Sequence, residues 1–207
     1  PVFSNLLGAA WLPTIEDVHE RLVAEPPARV ADVACGAGWS SIAIARAYPN
    51  VTVDGLDLDE ASVELARTNL AGTGVEDRVS FQHRDAGDPE LAGSYQLVTV
   101  FEALHDMAHP VHAMAQAKAA LAQGGTVIVM DERVSETLNV GDPTETFFAV
   151  TSVLWCLPQG RVEPNSEAVG TVMRPSRFRG IARQAGWSDI EILPIDHPFW
   201  RFYRLIG

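Results

Sequence analysis

Residues 30–41, which read Val-Ala-Asp-Val-Ala-Cys-Gly-Ala-Gly-Trp-Ser-Ser, constrain the fold more than any other segment. They predict a buried strand over Val30–Ala34 and a turn that holds Gly36 and Gly38. A helix follows and runs to Tyr48, capped by one of the two serines at its start. A strand, a glycine turn and a helix in this order are typical of a nucleotide-cofactor turn, because the helix start offers free N–H groups and a positive dipole end.

The spacing around this turn argues against a dinucleotide. The pattern Gly36-x-Gly38-x-x-Ser41 lacks the third glycine of the dinucleotide fingerprint. Asp32, at the end of the strand, would repel a pyrophosphate and attract a cationic amino group. The pattern therefore favours an adenosyl ligand that carries an amino acid and a sulfonium. A nicotinamide oxidoreductase is the alternative that these two features disfavour.

Two further acids follow the next two predicted strands. Asp57 ends the strand Val51–Leu58, where a ribose hydroxyl would find a carboxylate acceptor. Asp85 follows the strand Val79–Arg84 and could accept a hydrogen bond from an adenine amino group. Acids after strands often cap helices, but three in succession at strand ends indicate one binding site.

Strands and helices alternate along the rest of the chain, which favours a doubly wound α/β fold with a mostly parallel sheet. Further helices are expected over Glu60–Ala71, near Pro110–Leu121, over Pro143–Leu157 and from Pro175, and strands over Leu97–Phe101, Thr126–Met130, Ile190–Leu193 and Trp200–Leu205. The last two strands are joined by a short segment and are expected to pair antiparallel.

Five motifs in order resemble those of the class I S-adenosylmethionine-dependent methyltransferases. They begin at Asp32, Gly55, Arg84, Tyr95 and Leu121, and read DVACGAG, GLDL, RDA, YQLVTVFE and LAQGGTVIV. The resemblance implies a Rossmann-like fold with a seven-stranded sheet completed by the terminal hairpin. It also implies S-adenosylmethionine as cofactor and S-adenosylhomocysteine as product.

The resemblance and the strand-end pattern together give a set of cofactor-binding residues. These are Asp32, Ala34, Gly36, Gly38, Trp39, Ser40, Asp57, Leu58, Asp85, Ala86, Phe101 and Glu102. The chain departs from the family pattern at Ala34, where a glycine is usual. A methyl group there is expected to narrow the turn without blocking it.

The catalytic prediction rests on His105-Asp106, which resembles the His-Asp pair after strand four of small-molecule O-methyltransferases. That resemblance implies His105 as the general base and Asp131 as the acid that orients it. Methyl transfer to oxygen is therefore preferred, with transfer to nitrogen or carbon as the alternative. A metal site formed by His105, His109 and His112 is disfavoured, because Pro110 interrupts any common helix.

Composition limits the partners. A net charge of −12 argues against nucleic acid and leaves a small, neutral or cationic molecule as the expected substrate. No apolar run reaches the length of a membrane span, and two cysteines are too few for a disulfide framework. A cytoplasmic enzyme without a membrane partner is expected.

The chain is expected to divide into an N-terminal helical segment, 1–27, and a methyltransferase domain, 28–207. The first segment is open to interpretation as the remnant of a longer region, and a homodimer is possible. Residues 134–174 are expected to be a substrate lid or core packing. A cofactor-binding domain that serves a larger regulatory protein is the alternative function.

Overall fold

The computed structural model describes residues 3–207, and it confirms an α/β fold with a seven-stranded sheet. The strand order is β3-β2-β1-β4-β5-β7-β6. The strands are β1 (Arg29–Val33), β2 (Thr52–Asp57), β3 (Val79–His83), β4 (Tyr95–Phe101), β5 (Leu121–Glu132), β6 (Asp189–Ile192) and β7 (Trp200–Ile206). The pairs β1–β2, β1–β4 and β2–β3 are parallel, and β6–β7 is antiparallel as predicted.

Six helices of eight or more residues stand out among the described residues outside the π-helical segments. They are α1 (Glu16–Val23), α2 (Trp39–Ala47), α3 (Glu60–Leu70), α4 (Pro110–Ala120), α5 (Pro143–Thr151) and α6 (Pro175–Gln184). A π-helical segment, Phe3–Trp11, precedes them, and α5 continues through the π-helical Ser152–Cys156 into Leu157–Gly160. None of the described helices is both long and apolar enough to cross a bilayer.

The chain divides into two compact units. The first contains residues up to Phe101 together with 117–128, and the second contains 102–116 together with 129–207. Strand β5 contributes residues to both. The predicted boundary between residues 1–27 and 28–207 stays a prediction.

In the first unit, apolar strands and helix faces form the core. Val30 and Ala31 of β1 are fully buried, as are Leu97 and Val98 of β4. The N-terminal π-helical segment packs on α2 so closely that a Cβ on Gly8 would lie 2.2 Å from the Cβ of Ala47. Val18 and Leu22 give α1 the buried face that its spacing predicts.

In the second unit, the helix predicted over Pro143–Leu157 is present. Of the six apolar side chains on its predicted face, Phe148 alone is buried. The others are 51–74% exposed: Phe147, Val150, Val153, Leu154 and Trp155. Helical periodicity identifies an apolar face but not whether anything covers it. The core-packing interpretation therefore fails, and the lid interpretation stays a prediction.

Candidate active site

The glycine turn after β1 places three residues in the left-handed region of the backbone. Ala34, Gly36 and Gly38 have φ angles of 55°, 51° and 80°. A Cβ added to Gly38 would lie 2.3 Å from the Phe81 ring, so the ring excludes any side chain there. A Cβ on Gly36 would meet nothing within 4 Å, so the backbone at Gly36 borders open space.

Asp32 lies beneath this turn and is 1% exposed. Its Oδ2 accepts hydrogen bonds from the hydroxyls of Ser40 (2.5 Å) and Ser41 (2.6 Å), and its Oδ1 accepts one from Thr99 (2.8 Å). Burial raises the pKa of Asp32, and these hydroxyl donors counteract the rise. Asp32 therefore fixes the start of α2, and direct contact with a cofactor stays a prediction.

The predicted serine cap is wrong. The N-cap of α2 is Gly38, and it makes no side-chain capping hydrogen bond. The hydroxyls of Ser40 and Ser41 turn to the Asp32 carboxylate instead. A buried carboxylate needs these donors more than the helix start does. Thr99, the third donor, was not predicted, because it is 67 residues from Asp32 and carries no local signal.

Asp57 ties the end of β2 to the glycine turn. Its Oδ2 accepts from the backbone N of Gly36 at 2.8 Å, and its Oδ1 accepts from the N of Asp59 at 2.9 Å. Both oxygens keep a lone pair, so ribose hydroxyls could still bind there. The neighbouring predicted residues Leu58 and Trp39 are 69% and 42% exposed. The open backbone at Gly36 beside a half-buried acid fits an adenosyl ligand.

Asp85 and Ala86 lie in the loop after β3. Asp85 is exposed, and its Oδ1 accepts from the N of Gly87 at 2.8 Å. The hydrogen bonds of Asp32 and Asp57 reach the start of α2 and the glycine turn, whereas this hydrogen bond of Asp85 stays within its own loop. Phe101, the last residue of β4, is 6% exposed. Adenine binding by this loop therefore stays a prediction.

The second unit contains a buried imidazole that is surrounded by carboxyl groups. His105 is 3% exposed, and its Nδ1 lies 2.9 Å from Asp131 Oδ1 and 3.0 Å from Glu132 Oε2. On the other side of the ring, Nε2 lies 3.3 Å from Asp106 Oδ1. The short helical turn Leu104–Asp106 carries the histidine, and the end of β5 carries its two partners. The contact between His105 and Asp131 has the geometry that a base and its orienting acid require.

These charges shift the proton affinities of the cluster. Burial by itself lowers the pKa of His105, but the carboxylates of Asp131 and Glu132 outweigh it and raise the pKa to about 12. Burial raises the pKa of Glu132 to about 8, and the neighbouring Asp131 adds to the rise. Burial, together with the nearby Glu132, likewise raises the pKa of Glu102 to about 8.

Glu102 was predicted to line the cofactor pocket, and the structure places it in this cluster. Its backbone is left-handed, with φ 56°, at the residue after β4. Its N donates to Met130 O at 2.9 Å, and its Oε1 is buried without a hydrogen-bond donor. A strained residue that carries an unpaired polar atom is typical of functional sites.

The disfavoured metal site would use His105, His109 and His112, whose side chains lie in different environments. His109 and His112 are exposed at the start of α4, whereas His105 is buried. The atoms of His105, Asp131 and Glu132 lie within 4.8 Å of one another, a spacing that also suits a metal ion. The hydrogen bond from Nδ1 to Asp131 already accounts for the closest of these contacts.

Comparison with known proteins extends the evidence beyond this geometry. Residues 30–125 match a family model described as a methyltransferase domain. A ubiquinone biosynthesis O-methyltransferase from Bordetella avium is 32% identical over 187 residues, which cover 86% of this chain and 70% of that protein. The 27-O-demethylrifamycin SV methyltransferase from Amycolatopsis mediterranei is 31% identical over 179 residues, covering 76% and 64% of the two chains.

A solved structure shares the fold. The structure titled "PigF with SAH" superposes with a TM-score of 0.68 at 22% identity, covering 86% of this chain and 50% of that one. This chain thus spans about two thirds of those curated relatives and half of the solved one. The similarity to the Bordetella enzyme and the matched domain agree with the motifs, the sheet order and the turn at Gly36. The chain belongs to the class I S-adenosylmethionine-dependent methyltransferases.

Proposed function

We propose that this chain transfers a methyl group to an oxygen atom of a small molecule and that His105 is the base. The observation that carries the proposal is the contact of His105 Nδ1 with Asp131 Oδ1 at 2.9 Å. Because Nδ1 is held there, Nε2 is the ring nitrogen available to an acceptor hydroxyl. Asp106 Oδ1 lies 3.3 Å from the same nitrogen and is buried without a hydrogen-bond donor, so an acceptor at Nε2 would displace this carboxylate.

The bound cofactor supplies a methyl group on a positively charged sulfur. On transfer, the acceptor oxygen would take this methyl group, and the carbon–sulfur bond would break with its electron pair left on sulfur. The hydroxyl proton would pass to Nε2 when the acceptor meets the neutral ring of His105. When the ring is already protonated, that proton would leave to water, and the imidazolium would hold the acceptor as an anion. In-line displacement depends on positioning and on the charge of the attacking oxygen.

The surrounding acids favour a protonated His105 beside an anionic acceptor oxygen. A phenolic hydroxyl has a pKa near 10, whereas the pKa of His105 is raised to about 12. A proton shared by the two therefore resides on the imidazole, and the acceptor oxygen is held as an anion. An aliphatic alcohol, being a much weaker acid, would gain less. Phenol-like hydroxyls are the acceptors that this site serves best.

The first unit is proposed to bind the cofactor. Asp57 would accept the ribose hydroxyls, and the turn at Gly36 and Gly38 would approach the methionine part. Asp32 would orient that turn, and Asp85 with Ala86 would bind the adenine. The hydrogen bond from Gly36 to Asp57 supports the first two assignments, because it joins the turn to the carboxylate.

Residues 134–174 are proposed as the substrate lid. An open groove of about 500 Å³ runs along α5, and among its lining residues Leu138, Val150 and Leu154 are exposed apolar side chains. Nearby, Phe147 and Trp155 are also exposed. These side chains would suit an apolar acceptor. Trp155→Ala should raise KM for bulky apolar phenols more than for phenol itself.

The test of the function combines binding and turnover. Release of S-adenosylhomocysteine is measured with a panel of small phenols, aliphatic alcohols and amines. For the best phenol, His105→Ala should lower kcat about 10²–10⁴-fold, because proton transfer is lost. Its affinity for S-adenosylhomocysteine, measured by calorimetry, should stay unchanged.

His112→Ala is the matched control, because His112 is an exposed histidine on α4. It should leave both quantities unchanged. Turnover confined to amines, or an active His105→Ala variant, would overturn the assignment to oxygen and base. A loss of cofactor affinity in His105→Ala would place His105 in the cofactor pocket instead.

A further inference from the structure

The hydrogen atoms around His105 Nδ1 are too few for the oxygens that face it. Asp131 Oδ1 lies 2.9 Å and Glu132 Oε2 lies 3.0 Å from this nitrogen, which can carry one hydrogen atom. The hydrogen bond goes to Asp131, whereas Glu132 Oε2 is buried without a donor. An ionised Glu132 would thus place a second, uncompensated negative charge against Asp131.

The Asp131 carboxylate shows where a further proton would go. Its Oδ1 already accepts two hydrogen bonds, one from His105 Nδ1 and one from the backbone N of Glu132 at 3.0 Å. Its Oδ2 is buried without a donor, and the Asp131 side chain is 1% exposed. The Glu132 carboxyl interacts with the Asp131 side chain. A hydroxyl on it would supply the Asp131 carboxylate with a further donor and remove the charge conflict at once.

We propose that Glu132 is a neutral carboxylic acid that donates its proton to Asp131 and thereby positions His105. This role rests on the proposed function, because a positioning residue needs a base to position. It goes beyond the pairing of His105 with Asp131 by assigning a second acid with a defined protonation state.

The remaining charged groups around Glu132 favour the neutral form. The acids that face it are Asp131 and Glu102, with Asp106 on the far side of the imidazole. The cationic group in contact with it is His105, and Arg201 of the neighbouring strand β7 donates to the backbone O of Val134. The raised pKa of Glu132, about 8, agrees with this count of charges.

The neutral acid has a consequence for the reaction. While Glu132 is protonated, His105 faces one full negative charge at Nδ1, and an anionic acceptor oxygen can be held at Nε2. When Glu132 ionises, the added negative charge repels that oxygen. Activity should therefore fall as the pH rises through the pKa of Glu132.

Infrared difference spectroscopy tests the protonation state without any acceptor. At about pH 6 exposed carboxyl groups are ionised, so a carbonyl band of a protonated carboxylic acid reports a buried neutral acid. Wild type should show such bands, and they should disappear as the pH rises through about 8. Glu132→Gln should remove one of them, and Glu102→Gln should remove another. The control Glu20→Gln, at an exposed glutamate, should remove none.

Spectra of Glu132→Gln and wild type that coincide at about pH 6 would overturn the proposal. If Glu132→Gln fails to fold, the carboxyl carbon resonances of wild-type protein with labelled glutamate decide instead. One resonance beyond that of Glu102 must then titrate near pH 8. Neither measurement depends on methyl transfer, so the proposed function could fail while this inference stands.

A pH profile tests the role in positioning. Glutamine cannot ionise but keeps a hydrogen-bond donor toward Asp131. Glu132→Gln should therefore retain activity within about 3-fold near neutral pH and lose the decline above about pH 8. Glu132→Ala, which lacks the donor, should lower kcat at least 10-fold. Equal loss in both variants, or an unchanged alkaline decline in Glu132→Gln, would overturn this role.

Discussion

Two buried acids, each in a different unit, show opposite ways of accommodating a carboxyl group. Asp32 of the first unit receives three hydroxyl hydrogen bonds, from Ser40, Ser41 and Thr99. Asp131 of the second unit is equally buried, but it lies beside a second carboxyl and one imidazole. Asp32 thus has more hydrogen-bond donors than negative charges, whereas in the cluster around Asp131 the acids outnumber the hydrogen-bond donors.

The difference distinguishes an acid that stabilises the fold from acids that take part in proton transfer. A buried acid with sufficient donors is fixed in place and holds the elements around it. Acids that outnumber their donors must share protons, and their charge then changes with pH and with ligands. Asp32 is thus expected to matter to folding, whereas Glu132 and Glu102 are expected to matter to proton movement.

The largest expected effect is on stability and follows Asp32→Ala. This substitution removes the acceptor of three buried hydroxyls, of which Thr99 keeps another, Ala31 O at 3.4 Å. Each group left unpaired costs about 1–3 kcal/mol. The free energy of unfolding in urea should fall by about 3 kcal/mol or more. Thr99→Val, which removes one donor of the three, should have a smaller effect. A loss below about 1 kcal/mol in Asp32→Ala would remove the contrast between the two acids.

Cofactor affinity should depend on Asp57 without a comparable loss of stability. Asp57→Ala removes the acceptor of Gly36 N and the proposed partner of the ribose, so binding of S-adenosylhomocysteine should weaken by about 1–3 kcal/mol. Calorimetry measures this directly. Asp59→Ala is the control, because Asp59 caps α3 and is not assigned to the ligand. Unchanged affinity in Asp57→Ala would refute the assignment.

Stability should respond to pH through the second unit. The folded pKa of Glu102 and of Glu132 is raised from 4.5 to about 8, so folding favours their protonated forms. Their contribution is fully present at low pH, declines as the pH rises from about 4.5 to 8, and is constant above that range. The pKa of His105, raised from 6.5 to about 12, gives a loss of the same sign from about pH 6.5 upward.

Urea denaturation at several pH values checks this sign. Between about pH 5 and 8.5, wild type should lose more stability than Glu132→Gln, by about 1 kcal/mol or more. Glu20→Gln, at an exposed position, should follow wild type. Parallel curves for wild type and Glu132→Gln would mean that Glu132 is ionised in the folded protein.

The sequence predicts most of the fold and, at the glycine turn and around His105, some of the residues that come together. The alternation of apolar strands and amphipathic helices, with glycines at Gly36 and Gly38, is a local signal, and it predicts the sheet and the turn correctly. The pairing of His105 with Asp131 is implied by the resemblance to small-molecule O-methyltransferases, and the two side chains are in contact. What the sequence cannot show is competition between partners, as where Ser40 and Ser41 turn from the helix start to Asp32.

Protonation and packing also depend on neighbours that are distant in sequence. Glu132 is a proton carrier in our proposal only because its carboxyl group and that of Asp131 compete for the one hydrogen atom on His105 Nδ1. Gly55 is required because a Cβ there would lie 2.4 Å from the Phe81 ring, which belongs to the next strand. Neither relationship leaves a pattern in the residues around it.

The smallest expected effect concerns the residue at which the turn departs from its family. Ala34 has a φ of 55°, a conformation that costs an alanine about 1–2 kcal/mol relative to its right-handed alternative. Ala34→Gly removes this strain but gives the unfolded chain more freedom, which offsets about 0.5–1 kcal/mol of the gain. The net increase in the free energy of unfolding should therefore lie between about 0 and 1.5 kcal/mol. Affinity for S-adenosylhomocysteine should stay within about 3-fold of wild type, because Gly36 and Asp57 keep their hydrogen bond. A gain in affinity of 10-fold or more, about 1.4 kcal/mol, would mean that the methyl group of Ala34 restricts the ligand. The first unit would then bind its cofactor less tightly than its turn, held by the hydrogen bonds of Asp32 and Asp57, allows.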